Sequence, residues 1–221
     1  MLDCITINLL TQFRKSLHAY PEISGKEFET QKKIICFLEE KTETEFYKVA
    51  NTGVMVIFKG NDPGPTVMIR GDIDALPINE TNTFEHRSKI KGVSHKCGHD
   101  GHTSILLGLA ILLNQEPIIK GKVLLLFQPA EEIGMGAESV LNDTVFNNYN
   151  IDYSFALHNL PGYPLHQIVV KDNEFTANVK SIIIKLSGKT SHASEPEKGI
   201  NPSTAIAELL LYANLLDIQR L

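Results

Sequence analysis

The stretch from Lys96 to Thr103 constrains this chain most, because it places a thiol, two imidazoles and a carboxylate close together. Cys97 and His99 are separated by a single glycine, so an extended or turning backbone can direct both side chains the same way. An apolar run over residues 104–113 follows at once and predicts a buried helix. Divalent metals such as Zn, Mn, Co and Ni accept imidazole, and the softer ones accept thiolate. The stretch is therefore a candidate metal-binding loop, although Cys97 alone could equally be a buried apolar residue.

The composition argues against several classes of partner and location. The 221-residue chain has a net charge of -5 and no block of Lys and Arg, so neither nucleic acid nor an anionic membrane surface is expected as a partner. No apolar run reaches the length of a membrane span, and the N-terminus lacks the pattern of a signal peptide. The three cysteines are widely spaced, which favours a reducing compartment. We therefore expect a cytoplasmic protein.

Hydrophobic periodicity predicts an α/β fold with a largely parallel sheet. Helices are predicted over residues 4–19 and 24–40, the second opened by a capping box of Ser24 and Glu27. Strands at 54–58 and 66–70 flank a Gly- and Pro-rich turn, which predicts a hairpin. After the helix that begins near residue 104, the apolar run 122–127 is typical of a central strand covered on both faces. A short helix at 136–142 and a strand at 153–157 follow.

The pattern changes near residue 175. A strand is predicted over 179–186, then a loop rich in Gly and Ser, and then a helix from Asn201 to about Leu216 with Pro202 in its first turn. We therefore predict a first domain over residues 1–175 and the beginning of a smaller α+β domain over residues 176–221.

Potential metal ligands follow three of the predicted strands, namely Asp72 and Asp74, Glu131 and Glu132, and His158. Because parallel strands end at one edge of a sheet, we expect these side chains to converge with Cys97 and His99. Adjacent glutamates on an extended strand point in opposite directions, so one can bind metal while the other acts as a general base. Singly, the glutamates could be the acidic start of a helix and His158 a core histidine. Together they favour a site in which a metal-activated water hydrolyses an amide, ester or peptide bond.

Six motifs in this order resemble the M20 metallopeptidase family: residues 17–22, 71–77, 97–102, 127–132, 158–159 and 188–194. The most similar branch is that of the amidohydrolases acting on N-acyl and aromatic-acyl amino acids, which includes hippurate hydrolase and auxin-conjugate hydrolase. The resemblance covers essentially the whole chain. It implies a metal-dependent amidohydrolase whose substrates are N-acyl amino acids or small peptide-like amides.

The resemblance also implies roles for individual residues. Two divalent metal ions, with Mn or Zn expected, would be held by the bridging Cys97 and by three further ligands, His99, Glu132 and His158. Glu131 would be the general base, and Asp74 would orient the site. His192 would reach the active site of the partner subunit in a homodimer and hold the substrate carbonyl. His102 and Asp100 are expected to shape the metal loop, whereas no convergent partners are expected for the remaining histidines, His18, His86, His95 and His166.

The same resemblance bears on domain roles. Residues 1–175 would be the N-terminal portion of the metal-binding catalytic domain, and residues 176–221 the beginning of a lid or dimerisation domain. Family members are expected to continue past the position of Leu221 and to add another histidine ligand, whereas His192 is the final histidine here. The alternative function is therefore a chain that binds metal or a partner without turnover. A structural zinc domain is disfavoured, because the candidate site is rich in carboxylates and has a single cysteine.

Overall fold

A five-stranded sheet organises the first part of the computed structural model, which describes residues 1–173 and 182–215. The strands are β1 (Glu45–Val49), β2 (Gly53–Lys59), β3 (Asp62–Asp72), β4 (Lys120–Gln128) and β5 (Tyr153–Ala156). The helices are α1 (Cys4–Ala19), α2 (Phe28–Lys41), α3 (His99–Gln115), α4 (Gly136–Leu141) and α5 (Ser203–Leu215). The chain divides into two structural units, residues 1–163 and residues 164–221. The predicted boundary between residues 175 and 176 lies outside the described residues.

The strand order is β1-β2-β4-β3-β5. Strands β4, β3 and β5 are parallel, which confirms the predicted α/β sheet, and β2 and β1 extend it in antiparallel pairing. The predicted hairpin of residues 54–58 and 66–70 is wrong, because β4 lies between β2 and β3 and pairs with both. The continuous apolar run of β4 explains this order, since a strand buried on both faces is most stable with a hydrogen-bonded neighbour on each edge.

The two faces of the sheet are covered separately, as predicted for β4. Leu125 and Phe127 pack in a cluster with residues of α2 and α3, including Leu38 and Leu106. The alternating Leu124 and Leu126 pack on the other side, against the α4 segment and Phe146. This period of two is the normal alternation of side chains along a strand. The fixed sheet then presents the carboxyl ends of β3, β4 and β5 at one edge.

The start of α2 differs from the predicted capping box. The helix begins at Phe28, and the backbone N–H groups of Glu29 and Thr30 donate to the carboxylate of Glu22 at 3.2 and 2.7 Å. Glu27 is fully buried and accepts from the Gly25 N–H, the Thr52 hydroxyl and the Ala130 N–H instead. The orphan donors of the first turn are therefore satisfied by a carboxylate from the preceding loop.

The predicted buried helix after the Cys97 motif is confirmed as α3, which starts at His99. Gly98 precedes it with a φ of 96°, a left-handed conformation that glycine adopts without a Cβ penalty. The sharp turn at Gly98 places Cys97, His99 and His102 around the first turn of a helix whose remaining residues are anchored in the core.

In the second unit, α5 follows Pro202 as predicted. The described part of the predicted 179–186 strand, residues 182–186, is not in a strand, whereas residues 179–181 lie outside the described residues. An isolated bridge joins Lys189 and Ile200. Among the helices of the described ranges, none combines the length and the apolar character required to span a membrane.

Candidate metal centre

The ends of three parallel strands and the start of α3 meet at one edge of the sheet, as the sequence predicts. Donor atoms of Cys97, His99 and Glu132 lie within 4.8 Å of one another. The Sγ atom of Cys97 is also 3.4 Å from Nε2 of His158, which follows β5. The structure therefore brings together the four residues expected to hold metal, from three separate segments of the chain.

His99 is oriented by a carboxylate. Its Nδ1 lies 3.2 Å from Oδ1 of Asp74, so the Nδ1–H donates to Asp74 and Nε2 faces the site. Burial by itself lowers the pKa of His99, but the hydrogen bond to Asp74 and the surrounding carboxylates outweigh it and raise that pKa. The ring is fully buried and cannot be reoriented by solvent. Second-layer carboxylates of this kind fix the tautomer of metal-binding histidines.

Asp74 connects three parts of the site. Besides His99, its carboxylate accepts from the Ser24 hydroxyl at 2.6 Å and from the Glu132 N–H at 3.0 Å. Burial raises the pKa of Asp74, but these hydrogen bonds, with that of His99 first, lower it below its usual range. An ionised carboxylate with these donors is suited to orient His99 and the Glu132 backbone, the kind of role predicted for it.

Glu132 and His99 leave two buried polar atoms that face each other. Nε2 of His99 and Oε1 of Glu132 are 3.7 Å apart, and neither has a hydrogen-bond partner among the described residues. Burial and the Glu132 carboxylate raise the pKa of the adjacent Cys97 thiol to about 12. Burial and the charge of neighbouring carboxylates likewise raise the pKa of Glu132. The two unpartnered atoms and the raised pKa values fit a divalent-cation site. A cation bound here would interact with both atoms and would stabilise the thiolate and the carboxylate.

Asp72, His99, His102 and His158 form a second group with metal-ligand spacing. Its members Asp72 and His102 already have partners, because Nδ1 of His102 is 2.5 Å from Asp72 Oδ1 and Arg70 donates to Asp72 Oδ2 at 2.7 Å. Burial raises the pKa of Asp72, but His102 and the nearby cationic groups lower it to about 2. Nε2 of His102 is engaged with Asn159. Asp72 and His102 are therefore suited to support the ligands rather than to bind metal.

Glu131 and Glu132 lie in a turn at residues 131–134 and not on an extended strand, so the expected alternation of their side chains does not describe them. The turn starts after Ala130, which has a φ of 51°. Oε2 of Glu131 is 3.9 Å from Nε2 of His99, and the Glu131 side chain is 40% exposed. A carboxylate that is near the candidate ligands and open to solvent can accept a proton from water.

His192, predicted to bind substrate, belongs to the second unit. It is exposed, and its Nδ1 lies 2.7 Å from Oγ of Ser194. Its predicted role stays a prediction.

The expectation that His18 has no convergent partner is wrong. Its Nδ1 is 2.9 Å from Asp100 and its Nε2 is 3.0 Å from Glu80. The hydrogen bond to Asp100 raises the pKa of His18 against the opposing effect of burial. Asp100 adjoins His99, so this network connects α1 to the loop that carries the candidate ligands. The residues of this network are far apart in sequence. The only sequence signal for His18 is its place in the motif of residues 17–22, which also contains Pro21 and Glu22.

The carboxylates, imidazoles and thiol at the edge of the sheet, together with the two orphan atoms, define a candidate divalent-metal site on an α/β fold. The chain belongs to peptidase family M20/M25/M40, whose model matches residues 68–210.

Relatives of known name support this assignment. The chain is 42% identical over 204 residues to an N-acetylcysteine deacetylase of Bacillus subtilis, covering 91% of this chain and 53% of that protein. It is 39% identical over 197 residues to thermostable carboxypeptidase 2 of Saccharolobus solfataricus, covering 87% and 50%. The crystal structure of the Bacillus subtilis YXEP protein, a dinuclear metal-binding peptidase of family M20, matches with a TM-score of 0.70 and 44% identity, over 74% of this chain and 46% of that chain. The chain thus spans about half the length of these relatives.

Proposed function

We propose that this chain carries the metal-binding part of an amidohydrolase that cleaves the amide bond of N-acyl amino acids or small peptide-like substrates. The observation that carries the proposal is the pair of unpartnered buried atoms, His99 Nε2 and Glu132 Oε1, beside Cys97 and within reach of a solvent-open Glu131. The names of the relatives, a deacetylase and a carboxypeptidase, support hydrolysis of an amide as the reaction class.

The proposed ligands are Cys97, His99, Glu132 and His158, and the proposed ions are Mn or Zn, two in a complete site. When bound, such ions lower the pKa of water and polarise a carbonyl group. The choice of ion follows from the donors, since imidazole and carboxylate suit both metals and the thiolate favours the softer Zn.

The chain's own groups would move the protons. Glu131 accepts a proton from the attacking water as the water oxygen bonds to the carbonyl carbon. The C–N bond then breaks, and the same carboxyl returns the proton to the departing nitrogen, which gives a carboxylic acid and an amine. Asp74 keeps His99 and the Glu132 backbone in place during these steps. His192 is proposed to hold the substrate carbonyl in a homodimer, following the family resemblance.

The test is release of free amine from N-acetyl amino acids by the metal-loaded full chain. Glu131→Gln keeps the shape of the side chain but removes the base, so turnover should fall by at least about 100-fold while bound metal is unchanged. Glu138→Gln, an exposed glutamate on α4, is the matched control and should keep full turnover.

Two outcomes contradict the proposal. Turnover that persists in Glu131→Gln with metal chelated would exclude the metal-dependent mechanism. Stoichiometric metal binding with no amine release from any N-acyl amino acid tested would favour the alternative, a chain that binds metal without turnover.

A further inference from the structure

His158 lies on a part of the fold that gives it little packing. It follows β5, a strand of four residues that pairs with β3 and whose side chains are exposed. His158 is itself exposed. Burial therefore does not fix its ring near Cys97, and another set of contacts must do so.

Asn159 supplies those contacts. Its backbone carbonyl is 2.7 Å from Nδ1 of His158, so this nitrogen donates its proton and Nε2 is left facing Cys97. Its backbone N–H donates to Nε2 of His102 at 3.0 Å. Its carboxamide lies against Gly98, where an added Cβ would be 2.5 Å from Oδ1. Asn159 thus joins the loop after β5 to the turn between Cys97 and His99.

His102 is a rigid acceptor for this contact. The ring is 1% exposed, and its Nδ1–H donates to Asp72, which Arg70 holds in turn. Oδ1 of the Asn159 carboxamide lies 2.6 Å from Nε2 of His102, so Asn159 meets His102 with both its backbone and its side chain. A chain of hydrogen bonds therefore runs from β3 through α3 to the loop after β5.

We propose that His102 and Asn159 are positioning residues that hold His158 against the Cys97–His99 turn and so complete the metal site. This inference rests on the proposed function, because it takes His158 as a metal ligand. Neither side chain needs to touch the metal. Their effect on the site is transmitted through the backbone and ring orientation of His158.

The experiment is a Co²⁺ titration of the metal-free full chain, followed by absorption spectroscopy and calorimetry. Asn159→Ala and His102→Gln should weaken the binding of Co²⁺ by about 10–100-fold, the usual effect of removing a group that orients a ligand. Their Co²⁺ spectra should match that of His158→Ala, since each loses the same imidazole, whereas a general loss of stability would leave the spectrum of the bound fraction unchanged. Asn147→Ala, at an exposed asparagine outside the site, is the matched control.

The outcomes separate the two claims. If His158→Ala weakens binding and changes the spectrum but Asn159→Ala and His102→Gln do neither, the positioning role is wrong and the proposed function stands. If His158→Ala has no effect, His158 is not a ligand, and both this inference and the proposed ligand set are wrong. Asn159→Ala keeps both backbone contacts and removes the carboxamide, so if the buried His102→Gln variant fails to fold, Asn159→Ala still tests whether the carboxamide contacts to His102 and Gly98 hold His158 in place.

Discussion

Glu27 offers a quantitative test of how the turn before Glu131 is held. This carboxylate is fully buried and accepts from the Ala130 N–H at 2.8 Å and the Thr52 hydroxyl at 2.6 Å, both of which are buried donors. Its third partner, the N–H of Gly25, is exposed, so water can replace that bond. Glu27→Ala therefore leaves two buried donors without an acceptor, at about 1–3 kcal/mol each.

The expected loss in the free energy of unfolding is about 2–6 kcal/mol, a large part of the stability of a domain. Glu27→Gln should lose much less, because its carbonyl oxygen can still accept from Ala130 and its amino group can donate to the Thr52 hydroxyl. The assay is equilibrium unfolding in urea, followed by circular dichroism. Glu29→Ala, at an exposed glutamate in the first turn of α2, should change stability by no more than about 0.5 kcal/mol.

The reasoning is refuted if Glu27→Ala is as stable as Glu29→Ala. Such a result would mean that removing the carboxylate avoids a desolvation cost as large as the stability lost with the hydrogen bonds.

Three further predictions follow from single contacts. The hydrogen bond to Asp100 raises the pKa of His18, so His18→Gln should destabilise the fold more at about pH 5.5 than at about pH 8.5. Protonated His18 stabilises the fold below its unfolded-state pKa, and this stabilisation is lost as the pH rises through its folded-state pKa. Equal losses in the free energy of unfolding at the two pH values would contradict this prediction. Gly98 has a φ of 96°, and a Cβ added there would contact an asparagine carboxamide, so Gly98→Ala should lower the free energy of unfolding by about 1–3 kcal/mol. A Cβ added at Gly101 meets nothing within 4 Å, so Gly101→Ala should not lower it. Equal losses for the two variants in thermal unfolding would contradict this prediction. Leu125→Ala, fully buried in the central strand, should cost about 2–5 kcal/mol in urea unfolding, and a loss below about 1 kcal/mol would contradict the assigned core.

The position of the candidate site could be predicted from sequence because its logic is simple. Ligand-type residues follow successive strands, and parallel strands end at one edge, so Glu132 and His158 meet Cys97 and His99. The helices were predictable as well, since α1, α2 and α3 have continuous apolar periodicity.

The strand order could not be predicted in the same way. Residues 54–58 and 66–70 are adjacent in sequence and separated by a good turn, yet β4 from much later in the chain lies between them. Local turn signals favour pairing of neighbours, but burial of β4 on both faces and both edges outweighs them.

Tertiary contacts also overrode local motifs at the start of α2. Ser24 and Glu27 have the spacing of a capping box, but Ser24 donates to Asp74 and Glu27 accepts from Ala130. Both residues instead connect to the strand ends that carry the site. The hydrogen bond from the Asn159 backbone N–H to His102 has a related origin, because it joins segments that are distant in sequence.

The central claim is that Cys97, His99, Glu132 and His158 form a metal site. Its most direct test is the metal content of the purified full chain by elemental analysis, after loading with Zn or Mn and removing the excess. The account predicts stoichiometric metal in the unmodified chain and in the exposed control Glu138→Ala, with substantial loss in Cys97→Ala and Glu132→Ala. Absence of retained metal in the unmodified chain, or equal metal in all four proteins, would contradict it.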